Sequence, residues 1–295
     1  MNIAQPRMPR WRSLLFVPAH VERFVAGAHK RHADVVILDL EDSVPLAQKP
    51  DARAVLPHSI TSVSQHGAAA MVRVNHSLRA LAQDLEAAVV PGLAALVLPK
   101  VESVAFIREV ADAVTELEIE RSLSPGSVRF VLQIETPAAL FGLLSIATAH
   151  PRVAAMTLGP EDLSAALGGT PEPDALLGPN LAVLYAARAA GLLPLGFVGS
   201  IATYSDLDAF RETVQQARRL GFRGAMVVHP AQIPILNEAF APTAEELDWA
   251  RRVVAACAEA DAQGRGAFEL DGRMIDAPIV RRAEDILHGA AGEAG

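Results

Sequence analysis

Short apolar runs alternate along the chain with longer segments in which apolar residues recur every three or four positions. A short run rich in β-branched residues is typical of a buried strand, and the longer spacing is typical of an amphipathic helix. The runs predict eight strands, at residues 13–18, 34–40, 70–75, 95–100, 129–135, 153–160, 194–199 and 224–230. Each run is followed by a segment with helical spacing, as residues 103–118 follow the fourth.

Eight successive strand–helix units place the chain in the α/β class and predict one closed (β/α)8 TIM barrel. An open, doubly wound sheet is the main alternative. A glycine-rich phosphate loop of the form G-x-G-x-x-G after the first strand would favour that fold. The chain instead reads FVPAHVERF at residues 16–24.

The chain continues beyond the eighth strand into a segment with a different pattern. Thr243 and Glu246 have the spacing of a capping box, which predicts the start of a helix. A polar, glycine-containing stretch opens the following segment, 268–287, and predicts a turn that leads away from the barrel. We therefore expect a barrel at residues 1–240 and a C-terminal helix with an extension at residues 241–295.

Composition excludes several classes of protein. The 26 Lys and Arg residues in a chain of net charge −8 form no basic block, so nucleic acid is not an expected partner. No apolar run approaches the ~20 residues of a membrane helix, and we expect no membrane contact. The single cysteine, Cys257, excludes an intramolecular disulfide. The N-terminal residues contain no apolar signal core, so we expect a cytoplasmic protein.

Polar side chains concentrate where the predicted strands end. Barrel active sites form at the carboxyl ends of the strands, so these positions are the candidates for chemistry. The candidates are Asp39, Glu41, Asp42, Arg73, Asn75, Lys100, Glu135, Glu161, Asp162 and His229.

Two of these acids, Glu135 and Asp162, follow neighbouring strands and should lie close together. Adjacent carboxylates repel each other unless a cation lies between them. Mg²⁺ prefers oxygen ligands, commonly one or two carboxylates completed by water and substrate. The planar guanidinium of Arg73 is suited to a substrate carboxylate.

Structural explanations remain open for each residue taken singly. Glu135 could simply end its strand before a helix that proline starts, and Asp162 could be a first-turn acid favoured by the helix dipole. Asp39 could be a paired structural carboxylate and Lys100 part of an ion pair at the rim. His229 could be a capped histidine of the core.

Eight segments in order resemble the citrate lyase β-subunit-like acyl-CoA lyases, a family that includes malyl-CoA and citramalyl-CoA lyases. They extend over nearly the whole chain and include DLEDSVP, VRVN, LPKVES, IETPAAL and LGPEDLS. The matching ranges are 12–18, 33–45, 72–75, 98–103, 134–140, 158–168, 220–233 and 271–280.

The resemblance implies a carbon–carbon lyase that binds Mg²⁺ through Glu135 and Asp162. Arg73 would hold the oxo acid, and Arg12 and Phe16, in the first matching segment, are further candidates for substrate binding.

The family also implies a homo-oligomer, a trimer or hexamer, in which Asp276 enters the active site of a neighbouring subunit and moves a proton. Asp42, paired with Lys100, would orient water bound to the metal. A structural alternative for Asp276 is a turn acid before Pro278.

The sequence departs from the family at several positions. Relatives often carry Arg and Lys after the first strand, where Val21 and Gly27 stand here, although Arg23 and Lys30 are close by. Val198 and Ala225 also replace common charged residues. Two alternatives to an acyl-CoA lyase therefore remain open. One is a class II aldolase acting on a free hydroxy-oxo acid, and the other is a non-catalytic, metabolite-binding barrel.

Overall fold

The computed structural model describes residues 9–202, 204–262 and 266–290. They form two compact units, one ending at Ala239 and the other beginning at Phe240. Within the described part of the chain, no helix has both the length and the apolar character needed to cross a membrane.

Eight parallel strands form the sheet of the first unit, and each pairs with its sequence neighbours. The strands are β1 (Ser13–Pro18), β2 (Val35–Asp39), β3 (Ala69–Arg73), β4 (Leu93–Leu98), β5 (Arg129–Ile134), β6 (Val153–Leu158), β7 (Leu193–Leu195) and β8 (Ala225–Val227). All eight predicted strands are present, and the predicted barrel class is confirmed. The last two strands are shorter than predicted. In β7 the change follows from Gly196, whose φ of 140° takes the chain out of the extended conformation.

Helices follow every strand and cover the outside of the sheet. They are α1 (Glu22–Ala28), α2 (Lys49–Val63), α3 (Leu78–Ala88), α4 (Val104–Glu120), α5 (Pro137–Leu140), α6 (Leu143–Ala147), α7 (Pro160–Leu167), α8 (Pro173–Ala189), α9 (Leu207–Leu220) and α10 (Ile233–Ala239). β5 and β6 are each followed by two helices. Side-chain caps start several of them, as Ser103 does when it accepts the Phe106 N–H before α4.

The ring closes between β7 and β8. Leu195 and Gly224 form a parallel bridge, and the Gly196 N–H donates to the Gly224 carbonyl at 2.9 Å. Gly224 is required here because an added Cβ would lie 1.9 Å from the Trp11 carbonyl oxygen. The absence of a side chain thus lets the chain before β1 approach β8 closely enough to complete the barrel.

The barrel interior is apolar toward the amino ends of the strands and polar toward their carboxyl ends. The buried cluster at the apolar end includes Leu14, Ile37, Met71, Val97, Val131, Ala155 and Leu195. Side chains two positions apart on a strand share a face, so the next inward residues include Phe16, Asp39, Arg73, Gln133 and Thr157. A sealed apolar layer therefore lies beneath a polar layer that opens at the carboxyl ends.

The second unit contains a helical pair and a short hairpin. Its elements are α11 (Ala244–Ala262), β9 (Phe268–Leu270), β10 (Arg273–Ile275) and α12 (Ala277–Ala290), and the two strands are antiparallel. The predicted capping box at the start of α11 is confirmed. The Glu246 N–H donates to Thr243 Oγ1 at 3.2 Å, and the Thr243 N–H donates to Glu246 Oε2 at 2.9 Å. Ala250, Val253, Ile275 and Ala283 form the buried core of this unit.

Candidate active site

A cavity of about 420 Å³ opens at the carboxyl ends of the barrel strands. Its charged lining comes from β2, β3, β5 and the start of α7, and includes Asp39, Arg73, Glu135 and Asp162. The strand ends of β1, β7 and β8 contribute apolar side chains to the opposite wall. The structure thus brings together in one cavity most of the charged residues that the strand ends predict.

Asp39 and Arg73 form a bidentate ion pair across two neighbouring strands. They are register partners on β2 and β3, with Arg73 Nε 2.6 Å from Asp39 Oδ1 and Arg73 Nη2 2.7 Å from Oδ2. Burial alone would raise the pKa of the Asp39 carboxyl, but hydrogen bonds and charge from Arg73 outweigh it and hold the pKa below its usual value. The structural explanation for Asp39 is therefore correct, and its effect is to fix the guanidinium.

Phe16 supports the same guanidinium from the cavity wall. The Arg73 Cζ lies 4.8 Å from the centroid of the Phe16 ring, a distance typical of a cation–π contact. Phe16 also lines the cavity. The predicted proximity of Phe16 to the site is present, and contact with substrate stays a prediction.

Glu41 is the residue of this cluster that the sequence analysis left without a role. Its Oε1 accepts from Lys100 Nζ at 2.5 Å, and its Oε2 lies 2.8 Å from Arg73 Nη1. Burial raises the pKa of the Glu41 carboxyl, and the positive charge of Arg73 only partly offsets this shift. Strand alternation gave no signal for this position, because β2 ends at Asp39 and Glu41 lies in the bend that follows, where its N–H donates to Asp39 Oδ1 at 3.0 Å.

The predicted pairing of Asp42 with Lys100 is wrong. Lys100 instead pairs with Glu41, and Asp42 lies at the exposed rim with its Oδ2 3.4 Å from Arg73 Nη1. Burial explains the difference, since Glu41 is buried beside Lys100, whereas the Asp42 side chain is exposed. Asp42 still lines the cavity.

Glu135 follows β5 and is only 2% exposed. Its Oε2 accepts the Lys100 backbone N–H at 2.7 Å. Lys100 has a φ of 53°, an uncommon left-handed conformation for a residue other than glycine, and this conformation aims the N–H at the carboxylate. A Cβ added at Gly159 would lie 2.4 Å from Glu135 Cγ, so glycine at the end of β6 makes room for the side chain.

Burial, together with negative charge on Glu41 and Asp162, raises the pKa of the Glu135 carboxyl to about 7, although the Lys100 N–H opposes the shift. Asp162 lies in the first turn of α7 and lines the same cavity. A divalent cation between Glu135 and Asp162 would relieve this repulsion. Within residues 9–202, 204–262 and 266–290, no three His, Cys, Asp or Glu side chains are arranged to hold a metal. A cation here would therefore need substrate and water oxygens, as Mg²⁺ commonly does.

Arg12 lies far from this cavity, so the prediction that it binds substrate is corrected. It precedes β1, at the amino ends of the strands, and forms a bidentate ion pair with Asp34, with Nε 2.8 Å from Oδ2 and Nη2 2.8 Å from Oδ1. The active-site cavity opens at the other end of the barrel. Arg12 is thus a structural residue that links the starts of β1 and β2.

His229 lies outside the cluster, and Asp276 belongs to the second unit. The His229 ring is exposed and its Nδ1 accepts the Ala231 N–H at 3.2 Å, so it caps a short turn, although at the surface and not in the core. Asp276 precedes α12 in the second unit, is half-buried, and its carbonyl accepts the N–H groups of Ile279 and Val280. The role of Asp276 in a neighbouring active site stays a prediction.

Comparison with known proteins identifies the family. The model of the HpcH/HpaI aldolase/citrate lyase family matches residues 12–230. Citrate lyase subunit beta of Escherichia coli is 34% identical over 98% of this chain and 96% of its own length. The (3S)-malyl-CoA thioesterase of Cereibacter sphaeroides is 34% identical over 90% of each chain.

A solved structure leads to the same family. The protein CitE of Mycobacterium tuberculosis, in complex with magnesium, acetoacetate and coenzyme A, is 33% identical, with a TM-score of 0.73 over 97% of this chain and 99% of its own. The predicted resemblance and the predicted enzyme class, a lyase, are confirmed. The chain belongs to the HpcH/HpaI aldolase/citrate lyase family.

Proposed function

We propose that the protein is a magnesium-dependent carbon–carbon lyase acting on a 3-hydroxyacyl-CoA thioester such as malyl-CoA or citramalyl-CoA. It would release an acyl-CoA and an oxo acid, or join them in the reverse direction. The observation that carries this proposal is the single cavity shared by Glu135, Asp162 and Arg73. Two carboxylates and a guanidinium can together hold a divalent cation and an anionic oxo acid.

Glu135 and Asp162 would hold the Mg²⁺ ion, which is also present in the mycobacterial relative. The bound ion would supply Lewis acidity toward the oxygen atoms of the oxo acid. Lys100 keeps the Glu135 carboxylate oriented through its N–H. The chain would thus orient one of the two ligands, Glu135, before any substrate binds.

Arg73 would bind the carboxylate of the oxo acid. Asp39 occupies Nε and one Nη2 hydrogen, while the guanidinium carries five N–H donors in a fixed plane. Glu41 and Asp42 approach Nη1 at 2.8 and 3.4 Å, so the second Nη2 hydrogen is the donor that would reach a ligand in the cavity that Arg73 lines. Asp42, which approaches Arg73 from the rim, would orient water bound to the metal.

Cleavage requires two proton movements. The substrate hydroxyl loses its proton as the carbon–carbon bond breaks and the carbonyl of the oxo acid forms. The bonding electrons pass to the α-carbon of the thioester, which then gains a proton and becomes a methyl or methylene group. We assign this second transfer to Asp276 of a neighbouring subunit in a homo-oligomer, where a carboxyl group would serve as general acid and, in reverse, as general base.

A second candidate is cleavage of a free hydroxy-oxo acid without CoA. Val21, which precedes α1, and Gly27, which lies within it, favour this candidate. Both residues are uncharged, whereas the family often carries cations for the CoA phosphates at these positions. The metal ligands would be the same. The two candidates differ only in whether a thioester is needed.

The decisive experiment measures oxo-acid release from malyl-CoA, citramalyl-CoA and free 4-hydroxy-2-oxo acids, with Mg²⁺ and after chelation by EDTA. We expect Mg²⁺-dependent release from a thioester with equal amounts of acyl-CoA. Release from the free acids alone would establish the aldolase. Appearance of free CoA with an intact carbon skeleton would indicate a thioesterase, and the lyase proposal would then be wrong.

A further inference from the structure

The bend that follows β2 carries Glu41, and hydrogen bonds hold this bend from two sides. On the side of the cavity, the Asp39 carboxylate accepts the Glu41 N–H at 3.0 Å. On the outer side, the carbonyl of Leu40 accepts from Asn75 Nδ2 at 3.0 Å. The carbonyl of Glu41 accepts from Lys49 Nζ at 3.1 Å. Side-chain groups therefore fix the backbone of both residues of the bend.

The two outer donors belong to one network that joins α2 and α3 to the bend. Lys49 Nζ also donates to Asn75 Oδ1. Asp84 of α3 accepts the backbone N–H and the Nδ2 of Asn75 through its Oδ2, each at 2.7 Å, and its Oδ1 accepts Arg53 Nε at 2.7 Å. Asp84 is fully buried and Asn75 is only 7% exposed, so water has little access to replace a lost partner.

The partners of Asn75 allow its amide only one orientation. Its Nδ2 lies against two acceptors, the Leu40 carbonyl and Asp84 Oδ2, while its Oδ1 faces the Lys49 ammonium. A flipped amide would place oxygen against two oxygens and an NH₂ group against a cation. The two acceptors that Lys49 binds are neutral oxygens, so the ammonium holds the amide and the backbone in place.

The side chain of Glu41 transmits the position of the bend to the cavity. Its Oε1 accepts from Lys100 Nζ at 2.5 Å, and its Oε2 lies 2.8 Å from Arg73 Nη1. Asp39 holds Nε and Nη2 of the same guanidinium, so two acids contact it along different edges. Contacts along two edges fix the plane of the guanidinium. A shift of the bend would loosen the contact with Glu41.

We propose that Lys49, Asn75 and Asp84 are positioning residues for the guanidinium that binds the oxo acid, and that they act through Glu41. They do not line the cavity and act without touching the substrate. Because they hold the bend, Glu41 lies against Arg73 before the acid binds, and less order has to be gained on binding. The inference rests on the proposed function, in which Arg73 binds the carboxylate of the oxo acid.

Lys49→Met tests the proposal, because it removes the ammonium, keeps the length of the side chain and changes a residue that is only half-buried. The full-length protein is titrated calorimetrically with glyoxylate and with pyruvate in the presence of Mg²⁺. We expect both affinities to fall about tenfold. The affinity for Mg²⁺ alone should stay nearly unchanged, since Glu135 and Asp162 are not altered. Lys49→Arg, which retains the charge and the donors, should recover most of the lost affinity.

A double-mutant cycle with Glu41→Gln tests the route of the effect. If Lys49 acts through Glu41, Lys49→Met should weaken binding of either acid far less in the Glu41→Gln background than in the unsubstituted protein. A general loss of stability would not produce this coupling.

Glu118→Gln is the matched control for a general loss of stability. Glu118 of α4 is fully buried and is paired with Arg152 at 2.6 Å, at the amino ends of the strands. Its substitution should lower the free energy of unfolding and leave the affinities for both acids unchanged. Urea denaturation of every variant provides the comparison.

The outcomes separate the positioning role from the function on which it rests. If neither acid binds the unsubstituted protein in a Mg²⁺-dependent manner, the proposed function is wrong and the positioning role with it. If the acids bind but Lys49→Met lowers only the free energy of unfolding, the positioning role is wrong and the proposed function stands. Additive effects of Lys49→Met and Glu41→Gln on affinity would likewise overturn the positioning role alone.

Discussion

The side chain of Glu135 shows how one residue of this site is held in an unfavourable state. Its carboxylate is almost fully buried and lies near the negative charges of Glu41 and Asp162, and the Lys100 N–H provides only partial compensation. Such repulsion lowers stability unless a ligand offsets it. Active sites commonly keep this kind of cost because the same charges are needed for binding.

Glu135→Gln and Asp162→Asn test this balance at the residue scale. We expect either change to weaken Mg²⁺ binding about 100-fold or more and to abolish turnover, because each removes a charged ligand. The metal-free variants should resist urea at least as well as the unsubstituted protein, since repulsion is relieved. Calorimetric Mg²⁺ titration and urea denaturation measure the two effects.

Asp112→Asn provides the matched control for these acid-to-amide changes. Asp112 is an exposed residue of α4 and does not line the cavity. Its substitution should change neither Mg²⁺ affinity nor turnover. Full Mg²⁺-dependent activity in Glu135→Gln would contradict the assignment of the metal ligands.

At the scale of elements, the carboxyl ends of β5 and β6 together build the candidate metal site. β5 leads to Glu135, and β6 ends next to Gly159, whose lack of a side chain accommodates that carboxylate. The same two strands bring Gln133 and Thr157 side by side one layer below. The pairing of two strands therefore sets both the candidate metal site and the inner polar layer.

Gly159→Ala should lower stability only when Glu135 is present. The new Cβ would overlap the Glu135 side chain, with a cost of about 1–3 kcal/mol. The φ of Gly159, −96°, is acceptable for alanine, so no backbone penalty is expected. In a Glu135→Ala background the same substitution should be close to neutral. Urea denaturation of the four proteins of this double-mutant cycle gives the coupling free energy, and additive effects would exclude the proposed contact.

A second pair of elements is joined at the opposite end of the barrel by a buried ion pair. Arg152, before β6, binds Glu118 of α4 through two contacts of 2.9 and 2.6 Å. Burial opposes ionisation of Glu118, but hydrogen bonds from Arg152 and from the N–H groups of Val128 and Gly126 lower its pKa to about 2. This network attaches α4 to the starts of β5 and β6.

The Glu118 network predicts a specific dependence of stability on pH. Because the folded pKa lies below the unfolded value near 4.5, the stabilisation is fully present above about pH 4.5 and is lost as pH falls toward 2. Glu118→Gln should therefore lower the free energy of unfolding by about 3 kcal/mol near neutral pH, with a smaller difference below pH 4.5. Urea denaturation at a series of pH values measures this, and a constant difference down to pH 2 would contradict it.

At the scale of the whole molecule, the chain consists of a barrel unit and a smaller unit that carries Asp276. The barrel cavity supplies candidate groups for binding a cation and an anion, while the acid proposed for proton transfer lies in the other unit. The proposal that Asp276 acts in a neighbouring subunit makes activity a property of the oligomer.

Mixing two inactive variants tests the oligomer. Asp276→Asn leaves the barrel cavity intact, and Arg73→Ala leaves Asp276 intact. If the two residues act across subunits, mixed oligomers should recover a fraction of the activity of the unsubstituted enzyme, because some sites combine intact Arg73 with intact Asp276. Turnover assays after subunit exchange, with mixed oligomers verified by mass spectrometry, provide the measurement. No recovery in verified mixtures would place both residues in one subunit.

The sequence by itself was sufficient for the local features of this protein. It predicted the eight strands, the capping box at Thr243 and the concentration of acids at strand ends. Each of these features depends on residues close together in the chain. Family motifs added the lyase class. Comparison with relatives confirms that class, whereas cytoplasmic location and oligomeric state stay predictions.

Only the tertiary structure decided which of these groups meet. It paired Lys100 with Glu41 instead of Asp42 and placed Arg12 at the far end of the barrel. These contacts depend on strand register and on the parity of inward-facing side chains, which join residues tens of positions apart. Local patterns contain no information on that register. It is set when the barrel closes and its apolar layer packs.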